Sequence, residues 1–412
     1  MFKIVKFIII RILIAYLFVG IFTNAFAVSS FISMPTFLAA IYSLLYLILL
    51  LSSRIKLHKE GYWLLAYWLF LTFFFFFFLF ATGEKCLNHY IMWTFSFFAF
   101  YYVFKSLVLY LLKFDSGIFN TMLNIISFSV FISSLFAIVE FLLVNFVGVN
   151  LENIIPRGRV EGYTPLASNF IRARSFMEES GHFSLYLEIF TPITLAWLLR
   201  NRKNKIILIS YVSIVLIALF FSFSAYGLVA LVIAIFIYLY YYVFSVGNLK
   251  SLMKNLFIVF IIFLVIIIAF PSIWEIGYQT VTAKLDVDNS SFSDRNSRII
   301  GLDQYLTGIH LMIGYGSAAF STLKTPSFIS LYVGILMSAG ICGIILFLGF
   351  LLCTFYRMLQ IKNKDMRCGF VIAFILSTIH FCFVDLIYLP WFWTMLALGY
   401  VYRTKEKLLP HD

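Results

Sequence analysis

Long apolar stretches separated by short polar connections run along the whole chain. A helix that crosses the hydrocarbon core of a bilayer needs about 20 predominantly apolar residues. Twelve stretches approach or exceed that length, at 7–28, 34–52, 62–82, 90–112, 121–147, 182–199, 206–223, 227–246, 256–271, 328–353, 369–385 and 388–402. The pattern predicts an all-α polytopic membrane protein with about twelve transmembrane helices, in one integral membrane domain covering 1–412.

The composition strengthens this prediction. Of the 412 residues, 63% are hydrophobic and 12% are charged, whereas a soluble domain carries about 25% charged residues. The first apolar stretch follows Lys3 and Lys6, as in a signal peptide. Its length and the span that follows soon after favour a retained first helix. The side chains of the uninterrupted phenylalanine run at 73–78 are interpreted as facing lipid, without a specific function.

The positive charges predict the orientation. Lys and Arg are retained in cytoplasmic connections. With the N-terminus inside, most of the 30 Lys and Arg residues fall in inner segments, as at Lys56, Lys105, Lys203 and Lys362. An even number of spans then places both termini in the cytoplasm. The formal net charge of +12 follows from this bias, so we do not expect a nucleic-acid partner.

Two long connections, at 148–181 and 272–327, interrupt the pattern of short turns. Both are predicted on the outer face. Loops of this length in compact proteins are usually functional or disordered. Each mixes charges of both signs with apolar residues, so each is able to pack on the membrane domain.

The densest polar constellation lies where the first large loop re-enters the membrane. Arginine binds phosphate through a planar fork of donors, so Arg172 and Arg174 could grip a diphosphate if the backbone is extended. Glu178, Glu179 and His182 are candidate proton acceptors for a sugar hydroxyl. Glu178 and His182 share a face if the helix starts early. The alternative is an interfacial cap, with arginines on lipid phosphates and a glutamate at the helix N-terminus.

The second loop carries a weaker constellation. Arg295 and Arg298 have the spacing of one face of a short helix, and 314–316 reads Gly-Tyr-Gly. This is not a dinucleotide loop, because a third glycine and a βαβ unit are missing. The alternative is a solvated helix with local ion pairs. His310 lies between the two motifs and is more often a structural residue than a functional one.

Ionisable residues inside apolar stretches are costly and usually mark function or a specific partner. Glu140 lies in the fifth stretch and Glu188 in the sixth, and for either one an ion pair is as good an interpretation as catalysis. Arg11 is expected to snorkel inward. Asp385 lies near an outer end, where water can hydrate it.

Several signatures are absent. The five cysteines have no metal-ligand spacing, and no HExxH helix, GxSxG elbow or Walker loop is present. We expect neither a metal nor another cofactor.

The run 172–183 resembles the motif of bacterial O-antigen and capsular polysaccharide polymerases, the O-antigen ligase–polymerase superfamily. Relatives commonly show an arginine, then a Phe-x-x-Glu-Pro-Ser-His-type stretch that leads into a helix. Phe176, Glu179 and His182 match, followed by Phe183, whereas 180–181 reads Ser-Gly in place of Pro-Ser.

Two further segments carry the resemblance. The stretch 222–227, Ser-Phe-Ser-Ala-Tyr-Gly, is similar to a serine-rich turn between two helices. Many relatives have an arginine near Tyr226, and this chain lacks it. The Gly-Tyr-Gly at 314–316 resembles the motif that closes the second outer loop. The likeness covers roughly 120–400.

The resemblance implies a glycosyltransferase C-like fold in the bacterial inner membrane. It also implies a reaction in which a glycan on undecaprenyl diphosphate is transferred to a lipid-linked repeat unit at the outer face. Membrane lipid, a chain-length regulator and a flippase are the implied partners. Cations would stabilise the departing diphosphate, and the acceptor hydroxyl needs a base.

These roles fall on particular residues of the chain. Glu179 or His182 is the candidate base, with Glu178 as the substitute. The candidate substrate-binding residues are Arg172, Arg174, Arg295, Arg298, Tyr226 and His310.

Three alternatives stay open. An O-antigen ligase uses the same donor but transfers the glycan to a lipid A core. A lipid-linked oligosaccharide flippase or secondary transporter also suits twelve helices, but it should show paired halves with interrupted helices, and no such pairing is visible in the sequence. The third is a non-catalytic assembly partner of polysaccharide machinery.

Overall fold

Helices build the described part of this computed structural model. The structure describes residues 2–29, 32–52, 55, 62–78, 83, 85–158, 163, 170–201, 204–245, 257, 261, 264, 268 and 301–408. Within these ranges there is no strand, and one isolated bridge joins Ala25 and Arg157. The long helices in these ranges are α1 (Phe2–Val19), α2 (Met34–Leu51), α3 (Tyr62–Phe77), α4 (Cys86–Leu112), α5 (Ile118–Val147), α6 (Ser180–Arg200), α7 (Lys205–Phe221), α8 (Ala225–Ser245), α9 (Leu331–Leu359), α10 (Lys364–His380) and α11 (Pro390–Leu408). The all-α prediction is confirmed.

Several of these helices are suited to a bilayer. In the part of the chain that the structure describes, five helices are long and apolar enough to cross a membrane: α2, α4, α5, α6 and α9.

The phenylalanine run at 73–78 is turned outward, as predicted, for only part of its length. Phe73 and Phe77 are more than 60% exposed, whereas Phe75 is buried and stacks on Tyr90 with centroids 4.3 Å apart. Apolar side chains turned outward on long helices indicate a membrane-embedded protein.

The first helix differs from its predicted span. The apolar stretch at 7–28 predicts a helix to residue 28, but α1 ends at Val19. Residues 24–26 instead pair with the first large loop. The Ala25 N–H donates to the Phe176 carbonyl at 3.1 Å, and the Phe26 N–H donates to the Pro156 carbonyl at 2.7 Å. Apolar composition signals burial equally in a helix and in a packed extended segment, which explains the error.

Two predictions about the chain stay untested. The ninth predicted span, 256–271, lies outside the described residues except for 257, 261, 264 and 268. The total of twelve spans and the boundaries of both outer loops therefore stay predictions.

By contacts, the chain divides into two compact units. Unit 1 comprises Met1–Leu38, Gly117–Asp286 and Ile361–Leu376, and unit 2 comprises Ala39–Ser116, Val287–Gln360 and Ser377–Asp412. In unit 1, helix α5 is central because α1, α6 and α7 all pack on it. In unit 2, α9 packs on α3 and on α11, which also contacts α4.

A buried lysine lies in the core of unit 2. The sequence treats Lys105 as an inner charge that sets topology, but its side chain is fully buried. Its Nζ lies 4.8 Å from the ring centre of Tyr101, 5.3 Å from Tyr102 and 4.7 Å from Tyr400. Cation–π attraction offsets part of the desolvation cost, so Lys105 also contributes to packing between α4 and α11.

Helix α9 is broken at Gly340, whose φ of 63° and ψ of −165° are not helical. The break leaves two carbonyls of α9 available to an extended segment. The Tyr315 N–H donates to the Met337 carbonyl at 2.9 Å, and the Gly316 N–H donates to Ser338 at 2.9 Å. A Cβ on Gly340 would lie 2.3 Å from the backbone of Met312. Only glycine fits this crossing.

Replacing Gly340 by alanine should destabilise unit 2. The positive φ costs about 1–3 kcal/mol for a non-glycine residue, and the steric overlap adds to that cost. Thermal unfolding of the purified protein in detergent should show a lower midpoint for Gly340→Ala. Gly181→Ala is the matched control, because nothing lies within 4 Å of its Cβ position. Equal midpoints for the two variants would contradict the role of the break.

Candidate functional site

The candidate site in unit 1 is built around a carboxylate inside helix α5. Glu140 is 1% exposed. One of its oxygens, Oε2, accepts from two consecutive backbone amides, the Arg174 N–H at 2.9 Å and the Ser175 N–H at 2.7 Å. Ser175 adopts a φ of 55°, which turns the two N–H groups to the same side. Successive amides in this arrangement form an anion-binding nest, here occupied by the protein's own carboxylate.

The second oxygen of Glu140 faces the first large loop. Arg157 places its Nη2 3.6 Å from Oε1, and both side chains are 1% exposed. The Tyr163 hydroxyl donates to the same oxygen at 3.3 Å. Burial raises the pKa of Tyr163, with the Glu140 charge as the next cause, so its phenol stays protonated and donates. Burial also lowers the pKa of Arg157, as does the Arg174 charge next in size, yet arginine remains cationic in proteins.

Arg157 also ties the loop to the re-entry segment, defined as residues 170–179. Its Nη1 donates to the Met177 carbonyl at 3.0 Å and its Nη2 to the Ser175 carbonyl at 3.4 Å. Buried ion pairs stabilise a structure only when further hydrogen bonds satisfy their remaining atoms. Both oxygens of Glu140 and both terminal nitrogens of Arg157 meet that condition, whereas the Nε of Arg157 has no hydrogen-bond partner within the described residues.

Arg174 is turned inward in this structure. It is 4% exposed, and it pairs with Glu152 through Nη2. Its Nη1 donates to the Glu178 carbonyl at 3.0 Å, and its guanidinium lies 4.6 Å from the ring centre of Tyr163. The two arginines and two glutamates of this cluster balance each other in charge. Arg174 could contact a diphosphate only if that anion displaced Glu152.

Further contacts hold the re-entry segment against α5. The side chain of Asn145 accepts from the Ile171 N–H at 2.6 Å and donates to the Ile171 carbonyl at 2.9 Å. The Ser175 hydroxyl donates to the Ser133 carbonyl at 2.8 Å. Phe176 stacks on Phe136 with centroids 4.2 Å apart. The segment is thus fixed along its whole length before it enters α6.

Four predicted site residues remain at the accessible edge of this segment. Arg172, Glu178 and His182 are partly exposed, and Glu179 is exposed. Helix α6 begins at Ser180, with Glu179 extended at its N-cap (φ −133°, ψ 159°). The helix therefore does not start early enough for Glu178 to share a face with His182. His182 lies in the first turn of α6, next to Glu179, in a position to meet a ligand at the helix N-terminus.

Tyr226 belongs to the serine-rich turn between α7 and α8. Its hydroxyl donates to the Leu376 carbonyl at 3.1 Å. Phe223 has a positive φ of 44°, and a Cβ on Gly227 would lie 2.2 Å from the Ser184 hydroxyl. The turn thus lies directly against α6. In this structure Tyr226 has a structural contact, and its predicted substrate-binding role stays a prediction.

Of the predicted substrate-binding residues of the second loop, the structure describes His310. His310 belongs to unit 2, where its Nδ1 lies 2.9 Å from the Gly314 carbonyl and its ring stacks on Tyr315 with centroids 4.1 Å apart. These contacts agree with the structural interpretation of this histidine. Arg295 and Arg298 lie outside the described residues.

The residues that organise the site were not singled out as site residues from sequence. The sequence marks Glu140 as costly inside a span. Its partners Arg157 and Tyr163, and Glu152, which pairs with Arg174, carry no comparable signal in the sequence. Pairing a lone carboxylate in an apolar stretch with loop arginines predicted on the same face of the membrane would have been the available clue.

Glu188 is another buried carboxylate of unit 1. It accepts from the Ser184 hydroxyl at 2.8 Å within α6. Among the residues that the structure describes, no group of three or more His, Cys, Asp or Glu could hold a metal ion.

Comparison with known proteins adds no assignment. No protein-family model matches the chain, and no curated protein matches its sequence.

Removing the charge of Glu140 should loosen the re-entry segment. Glu140→Gln leaves Arg157 buried without its ion partner, which costs about 3–5 kcal/mol. Hydrogen–deuterium exchange of residues 171–179 should accelerate, and the unfolding midpoint should fall. Glu179→Gln is the control, since this exposed side chain should change stability by no more than about 0.5 kcal/mol. Unchanged exchange in Glu140→Gln would refute the central role of this carboxylate.

Proposed function

We propose that this chain is a polymerase of O-antigen or capsule repeat units. In this proposal it transfers a glycan from undecaprenyl diphosphate to a lipid-linked repeat unit at the outer face of the bacterial inner membrane. The observation that carries the proposal is the re-entry segment. It presents Arg172, Glu179 and His182 at the start of an apolar helix, on a scaffold fixed by Glu140. A substrate with a lipid tail and a charged head would meet such a site at the boundary between lipid and water.

The proposed step needs one cationic group and one base. The acceptor hydroxyl oxygen attacks the anomeric carbon of the donor glycan, and its proton passes to Glu179 or His182, with Glu178 as the substitute base. The bond between that carbon and the diphosphate oxygen breaks, and the diphosphate leaves with the electron pair. Arginine donors stabilise the charge that develops on it.

The geometry divides the two arginines of the motif. Arg172 is partly exposed and is the better candidate for direct contact with the diphosphate. Arg174 is compensated by Glu152 and supports the segment from inside. The second loop would add Arg295 or Arg298 to the phosphate site, and Tyr226 and His310 remain candidates for substrate contact.

The membrane arrangement in this proposal follows the charge bias. Twelve spans, cytoplasmic termini and outer loops at 148–181 and 272–327 would place the re-entry segment outside. Retention of Lys and Arg in inner connections supports this orientation.

Reporter fusions test the orientation. Alkaline phosphatase fused after Gly158 or Gly308 should be active, because the enzyme matures only outside the cytoplasm. Fusions after Asn201, Asn363 or the C-terminus should be inactive at equal protein amounts. The reverse pattern would place the site in the cytoplasm and remove the polymerase proposal.

One observation favours a second candidate, a lipid-linked oligosaccharide flippase or transporter. The break of α9 at Gly340 is the kind of interrupted helix that lines transport sites. An O-antigen ligase would use the same donor and the same re-entry segment. The glycan phenotype described next separates all three.

The glycan ladder of cells that lack the gene tests the proposal. Deletion should leave the core plus one repeat, and the wild-type gene should restore the ladder. Arg172→Ala and His182→Ala should not restore it, because loss of one transition-state contact costs about 10²–10³ in rate. Arg174→Ala should also lower the amount of folded protein in the membrane.

Arg11→Ala is the matched control, since Arg11 is exposed on α1 beside Phe7 and its removal should leave the ladder intact. A full ladder with Arg172→Ala at normal protein levels would remove the assignment of that residue. Loss of all glycan from the core would favour the ligase or the flippase.

A further inference from the structure

Unit 2 contains a small cavity lined by polar and aromatic side chains, called here the Asp385 cavity. Its polar lining residues are His89 on α4, Ser317, Ser338 on α9 and Asp385, which follows α10. Its aromatic lining residues, called here the aromatic wall, include Trp93, Phe320 and Phe328. The cavity has a volume of about 30 Å³, which is room for about two water molecules or one hydroxymethyl group.

The four polar side chains are available to a ligand. Among the described residues, none makes a hydrogen bond with the carboxylate of Asp385, the ring nitrogens of His89 or the hydroxyls of Ser317 and Ser338. A carboxyl group accepts hydrogen bonds, and it also donates one when it is protonated. Asp385, His89 and Ser338 are partly exposed and Ser317 is buried, so a ligand in the cavity could reach these groups.

The cavity is preformed. The break of α9 at Gly340 and the pairing of Tyr315 and Gly316 with α9 fix the segment that carries Ser317. Gly334 leaves space next to the carboxylate, because a Cβ there would lie 3.1 Å from Oδ2 of Asp385. The side chains are therefore held apart around an open volume.

We propose that the Asp385 cavity is a saccharide subsite that receives a hydroxyl or hydroxymethyl group of the sugar on a lipid-linked substrate. Carboxylate and imidazole accept from sugar hydroxyls, and serine hydroxyls both donate and accept. The aromatic wall offers apolar faces to the C–H groups of a sugar ring. A few convergent polar groups in an apolar pocket are typical of small-molecule sites.

This subsite rests on the proposed function for its substrate class. Its wall residues lie at the ends of segments that the charge bias predicts on the outer face, beside Lys85, the start of α9 and the loop after α10. That is the face where the proposed reaction takes place. With this subsite, unit 2 would recognise the sugar of the substrate. The role proposed for the re-entry segment of unit 1 does not depend on that recognition.

Equilibrium binding to the full-length protein in lipid nanodiscs tests the subsite. Two radiolabelled probes are compared, the lipid-linked repeat unit isolated from the host and undecaprenyl diphosphate without sugar. Asp385→Asn should weaken binding of the repeat unit about tenfold or more and leave binding of the sugar-free lipid unchanged. Asp365→Asn, which alters an exposed carboxylate in the first turn of α10, should bind both probes as the wild type does.

Gly334→Ala is the second variant, because it narrows the cavity without removing the charge. It should show the same selective loss, and it decides the question if Asp385→Asn does not fold. Unchanged binding of the repeat unit, or equal weakening for both lipids, would overturn the subsite. If the wild type polymerises repeat units and both variants bind the repeat unit unchanged, the subsite proposal is wrong and the polymerase proposal stands. If the variants lose binding of the repeat unit selectively but the wild type does not polymerise, the subsite is supported and the polymerase proposal is wrong.

Discussion

The carboxylate of Glu140 is the constraint on which the described part of unit 1 depends. A charge inside an apolar helix is tolerated only when other groups solvate it. Here two backbone amides, the guanidinium of Arg157 and the hydroxyl of Tyr163 do so. All four come from the first large loop. Leaving Glu140 without these groups would cost free energy. The loop avoids that cost by adopting its observed conformation, including the positive φ of Ser175.

This dependence explains why the re-entry segment can be both exposed and rigid. A site that stabilises charge in a transition state has to be organised before the substrate arrives. Arg174 contributes from the inside by pairing with Glu152, so the segment does not rely on its ligand for its shape. The backbone that carries Arg172, Glu179 and His182 is held by contacts of the segment with α5, such as those of Asn145 and Phe176.

The sequence predicted the all-helical architecture and most helix positions, because runs of apolar residues are a direct consequence of a lipid solvent. It failed where an apolar run is not helical, as at residues 20–28, of which 24–26 form hydrogen bonds with the loop outside any helix. It also placed Lys105 at an inner boundary, although tyrosine rings bury it. The partners of Glu140 could not be predicted, since an ion pair between a helix and a loop depends on the backbone path and produces no periodic pattern in one sequence.

The two polar clusters differ in a way that separates structure from ligand binding. In unit 1 each carboxylate of the cluster meets a guanidinium or several donors, so both charges are compensated and their removal is expected to affect folding. In unit 2, within the described residues, the groups around the Asp385 cavity face open volume. Asp385, His89 and Ser338 are partly exposed, so they avoid the full desolvation penalty of an apolar interior and stay available to a ligand. Burial alone therefore does not identify a functional group, and the contacts that a group makes within the protein are the better criterion. By that criterion Glu140 belongs to the scaffold, and Asp385 is the stronger candidate for ligand binding.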